Sequence, residues 1–186
     1  YGERLTWIES FSPYVDAVVL REPEWRKGQR HTDIFGCEWQ YPLEDLAGQV
    51  TGHPLSDWGA LTDYTPPDPA DWTDWARVER DFADARARGE PAVGDVEHGF
   101  IFLRLTYLRG FEQFMIGIAE HPPDLDQLVE IVERYWTQVV QRYIDAGADL
   151  IVFGDDLGLQ DRLPMSPDAW RHIIRPVYER MFGLCH

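Results

Sequence analysis

Four consecutive apolar residues, Leu150 to Phe153, lie between two amphipathic helical patterns, and this arrangement limits the fold more than any other stretch. A short unbroken run rich in branched side chains reads as a strand buried on both faces, the pattern of parallel sheets covered by helices. Upstream, apolar residues recur at Leu125, Leu128, Val129, Val132, Tyr135, Trp136, Val139, Val140, Tyr143 and Ile144. That spacing predicts a helix over about Asp124 to Ala146 with one buried stripe. Asp124 and Gln127 have the spacing of a capping box, and Gly147 suits the left-handed residue that stops a helix. Downstream, Ser166-Pro167 reads as an N-cap followed by proline at the first helical position. A helix then runs to about Leu184, with Trp170, Ile173, Ile174, Val177, Tyr178, Met181 and Phe182 on one stripe. Pro176 lies inside that stripe and predicts a kink.

The order helix, strand, loop, helix is the alternation of a parallel α/β fold. Pro91 to Glu97 reads as another short strand, followed by helical segments over about Phe100 to Leu108 and Gly110 to Glu120. The first third differs. Ile34 to Gln40 and Gly48 to Gly52 read as a hairpin, Tyr64 to Pro69 as an extended proline-rich connector, and Asp71 to Gly89 as a helix. Trp136 and Trp170 sit on helix stripes and are expected in the core. Trp25, Trp39, Trp58, Trp72 and Trp75 fall in the irregular half.

The net charge of the 186 residues is −16. Such a surface repels phosphate backbones, which disfavours nucleic acid and anionic membranes as partners. No run approaches the ~18 apolar residues of a membrane helix. The chain opens on Tyr1-Gly2-Glu3-Arg4, with neither Met nor the pattern of a secretory leader, so sequence is expected to be missing there. The two cysteines, Cys37 and Cys185, make no disulfide framework, and a cytoplasmic, reducing setting is expected. Cys185-His186 is no metal pair, because adjacent helical residues diverge.

Several stretches, in order, resemble the uroporphyrinogen decarboxylase superfamily. They are Thr32-Asp33-Ile34-Phe35-Gly36-Cys37-Glu38-Trp39; Pro54-Leu55-Ser56-Asp57-Trp58 with Tyr64 and Pro67-Asp68-Pro69; Leu108-Arg109-Gly110-Phe111-Glu112; and Gly154-Asp155-Asp156-Leu157-Gly158-Leu159-Gln160 with Ser166-Pro167 and Arg175-Pro176. The resemblance implies a (β/α)8 TIM barrel with a β-hairpin insertion near the N-terminus. Such a barrel takes about 250 residues. Residues 1–186 are therefore expected to form a single but incomplete barrel domain, cut short at the C-terminal side and at the N-terminus.

The superfamily has two chemistries. One removes the acetate carboxylates of uroporphyrinogen in porphyrin and heme biosynthesis. The other moves methyl groups between a corrinoid and a thiol or similar acceptor, often with zinc. The Gly154-to-Gly158 motif resembles the methyltransferase-related branch, which makes corrinoid-linked methyl transfer the expected function and decarboxylation the alternative. The zinc ligands of that branch would fall after His186, so no metal ligand is expected within the chain. Expected partners are a small-molecule or tetrapyrrole substrate, a corrinoid protein and a second copy in a homodimer. A glycoside hydrolase barrel and a non-catalytic binding protein are more distant readings. The former needs two acids about 5 to 10 Å apart, for which Glu97 would have to complement Asp155 or Asp156.

Barrel active sites gather where strands end, so Asp155 and Asp156 are the candidate catalytic residues. If the strand runs through both, alternation sends only one toward the barrel mouth. The other would then bond backbone amides of the next loop. Gln160, His98, Asp33, Glu38, Trp39 and Arg109 are candidate substrate contacts. Each has a plainer reading: a hairpin packed by Trp39 and Phe35, and a salt bridge between Arg109 and Glu112 at i, i+3.

Overall fold

The computed structural model describes residues 26–96 and 98–186. Trp25, Glu97 and the opening Tyr1-Gly2-Glu3-Arg4 lie outside them. The fold is mixed α/β. Strands β1 (Arg30–Thr32), β2 (Glu38–Gln40) and β3 (Gln49–Gly52) form an antiparallel sheet in that order. Helix α1 (Trp75–Ala87) leads to β4 (Val93–Asp95). Helices α2 (Phe102–Arg109), α3 (Phe111–Glu120) and α4 (Pro123–Asp145) then lead to β5 (Leu150–Val152). β4 and β5 pair in parallel, with Val93 opposite Leu150 and Asp95 opposite Val152. The last helix, α5 (Arg175–Cys185), packs against α4. Among the described residues, no helix is long and apolar enough to cross a membrane.

Helix α4 forms for the reason its periodicity gives. Leu125, Leu128, Val129, Val132, Tyr135, Trp136, Val139, Val140 and Tyr143 are all buried on one face. Side chains of this size contribute about 1.5–3 kcal/mol each on full burial. The helix begins one residue before the expected start, at Pro123, and Asp124 does not cap it. Proline's fixed φ and missing N–H suit the first helical position, and the residue before it, Pro122, is an N-cap with no side-chain oxygen, so the capping box is not made. Gly147 ends the segment at φ +85°, the left-handed backbone expected there.

β5 is a strand, as its composition requires, but it is not buried on both faces. Leu150 and Val152 are 50% and 37% exposed, while Ile151 and Phe153 pack on the core. Among the described residues its sheet has two strands, and the face that carries Leu150 and Val152 is left open. Gly94 of β4 faces Tyr143 of α4, which closes the other side.

The expected kink at Pro176 takes a defined form. Ser166 caps a single α-turn, Pro167–Ala169, through a bond from the Ala169 amide. A π-helical stretch, Trp170–Ile174, follows. The Arg175 amide donates to Trp170 O, five residues back, and Pro176 has no amide to continue the ladder. The first expected hairpin strand is also shorter than its sequence suggested. Residues 34–37 form a turn because the Asp33 carboxylate accepts from the amides of Phe35 and Cys37. β1, polar throughout, carries no apolar alternation that would announce it. Both cysteines are free thiols, Cys37 buried and Cys185 exposed.

Candidate functional site

The parallel strands deliver three side chains to one place. The backbone beyond β4 runs through Val96 to His98, and the backbone beyond β5 through Gly154 to Asp155 and Asp156. The two segments stay laced together after the strands end. The Val96 amide donates to Val152 O at 2.9 Å and the Gly99 amide to Gly154 O at 2.7 Å.

Asp155 turns inward and is half-buried. One carboxylate oxygen accepts from the Phe102 amide at 2.7 Å and from the Tyr178 hydroxyl at 3.2 Å. The other accepts from the Leu103 amide at 3.2 Å and from its neighbour, the Asp156 amide, at 3.0 Å. Helix α2 has no side-chain cap of its own, so Asp155 supplies it across 53 positions of sequence. The expected bonds from one aspartate to amides of the following loop are made in part: one amide is that of Asp156, in that loop, and the other two open α2. Burial raises the Asp155 carboxyl above the ordinary range, outweighing the four donors that favour its charged form. Burial also raises the Tyr178 phenol, and the Asp155 charge adds to this.

Asp156 turns outward. Its Oδ1 lies 3.4 Å from Nε2 of His98, with the two side chains 69% and 65% exposed. A carboxylate and an imidazole at this separation, open to solvent at strand ends, can bind a polar group and pass a proton to or from it. Gln160 is exposed on the same loop.

The remaining candidates are not gathered here. Asp33 is buried in the turn before β2, where it also accepts from the Trp39 indole and from Arg104 at 2.9 Å. Arg104 is fully buried on α2 over the Phe35 ring, 4.2 Å from its centroid. This cluster occupies both oxygens of the Asp33 carboxylate and joins the three-stranded sheet to α2, while Trp39 still lines two surface clefts beside β2. Glu38 is exposed on β2, with its side chain against Gly52. Arg109 does not pair with Glu112. Its guanidinium stacks on Trp58 at 3.8 Å and donates to Leu55 O at 2.8 Å. Gly110 adopts φ +87° between α2 and α3, which breaks the single helix that an i, i+3 pair needs. Burial lowers the Arg109 guanidinium below its usual range.

Sequence reasoning passed over Arg104 and Tyr178. The signal for Arg104 was a charge inside the apolar stretch Phe102 to Leu108, and a buried charge needs a partner. Nothing local pointed to Tyr178, which reads as one more member of an apolar stripe. Glu97, the second acid of the glycoside hydrolase reading, lies outside the described residues.

No protein-family model matches the chain, and no curated protein matches it. Among solved structures it is similar to a methyltransferase from Methanosarcina mazei, with a TM-score of 0.59 and 24% identity. The likeness covers 80% of this chain and 43% of that one, so the chain spans less than half the length of the methyltransferase it matches. The two share a fold over that region.

Proposed function

We propose that the chain carries about half of a (β/α)8 barrel of the uroporphyrinogen decarboxylase type, from an enzyme that transfers methyl groups. The observation that carries this reading is the parallel pair β4–β5, with His98 and Asp156 exposed together at its C-terminal end. The fold shared with a methyltransferase supports it. In this reading the acceptor's S–H or similar group lies against His98, and Asp156 orients the ring. The imidazole takes the acceptor proton as the methyl group arrives, so the acceptor exchanges hydrogen for methyl and the donor leaves without its methyl. Asp155 takes no proton in this scheme. It fixes the loop by holding α2 and Tyr178.

The same resemblance implies zinc and a corrinoid partner. Among the described residues no three His, Cys, Asp or Glu side chains converge on a point, and all four bonds to Asp155 are internal. These residues do not make a zinc site, and no step runs through one. The corrinoid is a methyl donor brought by a partner. Decarboxylation of a polyanionic tetrapyrrole is less well served. The buried arginines, Arg104 and Arg109, are engaged by Asp33 and by Trp58 with Leu55, while the strand ends carry carboxylates.

The test is methyl transfer from methylcobalamin to thiol acceptors by the whole natural protein that carries this chain, with thioether product read by mass spectrometry. D156N and H98A are expected to slow transfer by ~10²-fold, the scale of a lost acid–base group. Transfer indifferent to both substitutions, or no transfer to any thiol, overturns the reading.

A further inference from the structure

Gly154 stands between the apolar run and the two aspartates, and its place in the loop has a specific cause. Six other described glycines have positive φ, which only glycine adopts readily; Gly154 does not. Backbone conformation therefore gives no reason for glycine here. Space does. A Cβ built at position 154 would stand 2.7 Å from Nδ1 of His98, closer than real Cβ atoms come to any neighbour. The other nitrogen of the same ring, Nε2, lies 3.4 Å from Asp156 Oδ1. The bond from the Gly99 amide to Gly154 O, at 2.7 Å, pins the backbone that follows His98 against this point. The ring thus meets a bare Cα edge-on through Nδ1, and that position brings its other nitrogen to the carboxylate of Asp156. Gly158, in the same loop, has no atom within 4 Å of an added Cβ.

We propose that Gly154 is a positioning residue for the His98–Asp156 pair: the absence of a side chain there sets the imidazole beside the carboxylate. The functional side of this inference rests on the reading of that pair as the substrate-facing group; the structural side does not. Because His98 is a surface side chain, alanine at 154 displaces the ring and leaves the backbone in place.

Three measurements test it. In the first, ring-proton NOEs from His98 to the Asp156 methylene are recorded in the unaltered protein, G154A and G158A. The contact is expected in the unaltered protein and in G158A, and lost in G154A. Its survival in G154A overturns the proposal. The second is a double-mutant cycle in the methyl-transfer assay. G154A is expected to slow transfer as much as H98A does, and to add nothing in an H98A background. An equal further loss in that background shows that Gly154 acts through something else, and overturns the proposal. If H98A leaves the rate unchanged, the catalytic reading of the pair falls, while the NOE still decides the role of Gly154. Should G154A lower the Tm, adding H98A must restore it, since the clash is then gone; failure to restore it also overturns the proposal.

Discussion

Two aspartates tie loops to helix α2: Asp33, buried in the turn before β2, and Asp155, half-buried in the loop after β5. Asp33 accepts two turn amides and an indole N–H, and Arg104 from α2 matches its charge. Asp155 accepts three amides and a phenol, with no cation among its partners. The first is a neutralised pair in a closed core. The second is a carboxylate held by dipoles, and burial pushes its proton affinity up. The difference separates architecture from opportunity. The Asp33 carboxylate has both oxygens occupied, whereas the Asp155 loop fixes one carboxylate inward and so turns the next one, Asp156, out toward His98.

The largest effect that would sharpen this contrast is at Asp33. D33A leaves the Arg104 charge buried without its partner and is expected to destabilise the fold by about 3–5 kcal/mol in urea denaturation. D155A removes the cap of α2 but strands no charge, so its expected loss is smaller, about 1–3 kcal/mol. A larger loss at Asp155 than at Asp33 would break the comparison.

The pH dependence of the second hub follows from the raised Asp155 carboxyl. In the folded chain this group holds its proton to a higher pH than in the unfolded chain. Between the ordinary carboxyl range and the raised value the folded state binds more protons, so stability falls as pH rises through that window. D155N lacks this slope, and the difference between the two stability–pH curves is expected to be flat outside the window. The smallest stability effect belongs to the exposed pair. H98A and D156N are expected to change stability by less than about 0.5 kcal/mol, because exposed ion pairs contribute little. Thermal melts of both variants check this, and a loss as large as that of D155A would mean that the pair is structural.

The parts of the fold legible in the sequence are those with a long period. Helix α4 was readable because its stripe repeats over six turns. β5 was readable because four apolar residues leave few alternatives, although its exposure was not: burial on both faces depends on neighbours that no local pattern encodes. The end of α2 and the failure of Arg109 to meet Glu112 turn on one glycine at φ +87°. The strand-end aspartates were legible as a motif, but which of them faces in was decided by Phe102, Leu103 and Tyr178, at 53, 52 and 23 positions' distance. That the Asp33 carboxylate is engaged was not legible, because its cationic partner, Arg104, is 71 positions away.

The wide turn at Trp170–Ile174 holds surplus chain. A π-turn carries one residue more than an α-turn, so losing one of its exposed residues, such as Arg171, would let the helix close to ordinary pitch. Val177 and Met181 would then keep their bearing on α4. This stretch is where the chain can change length without disturbing the seam that follows.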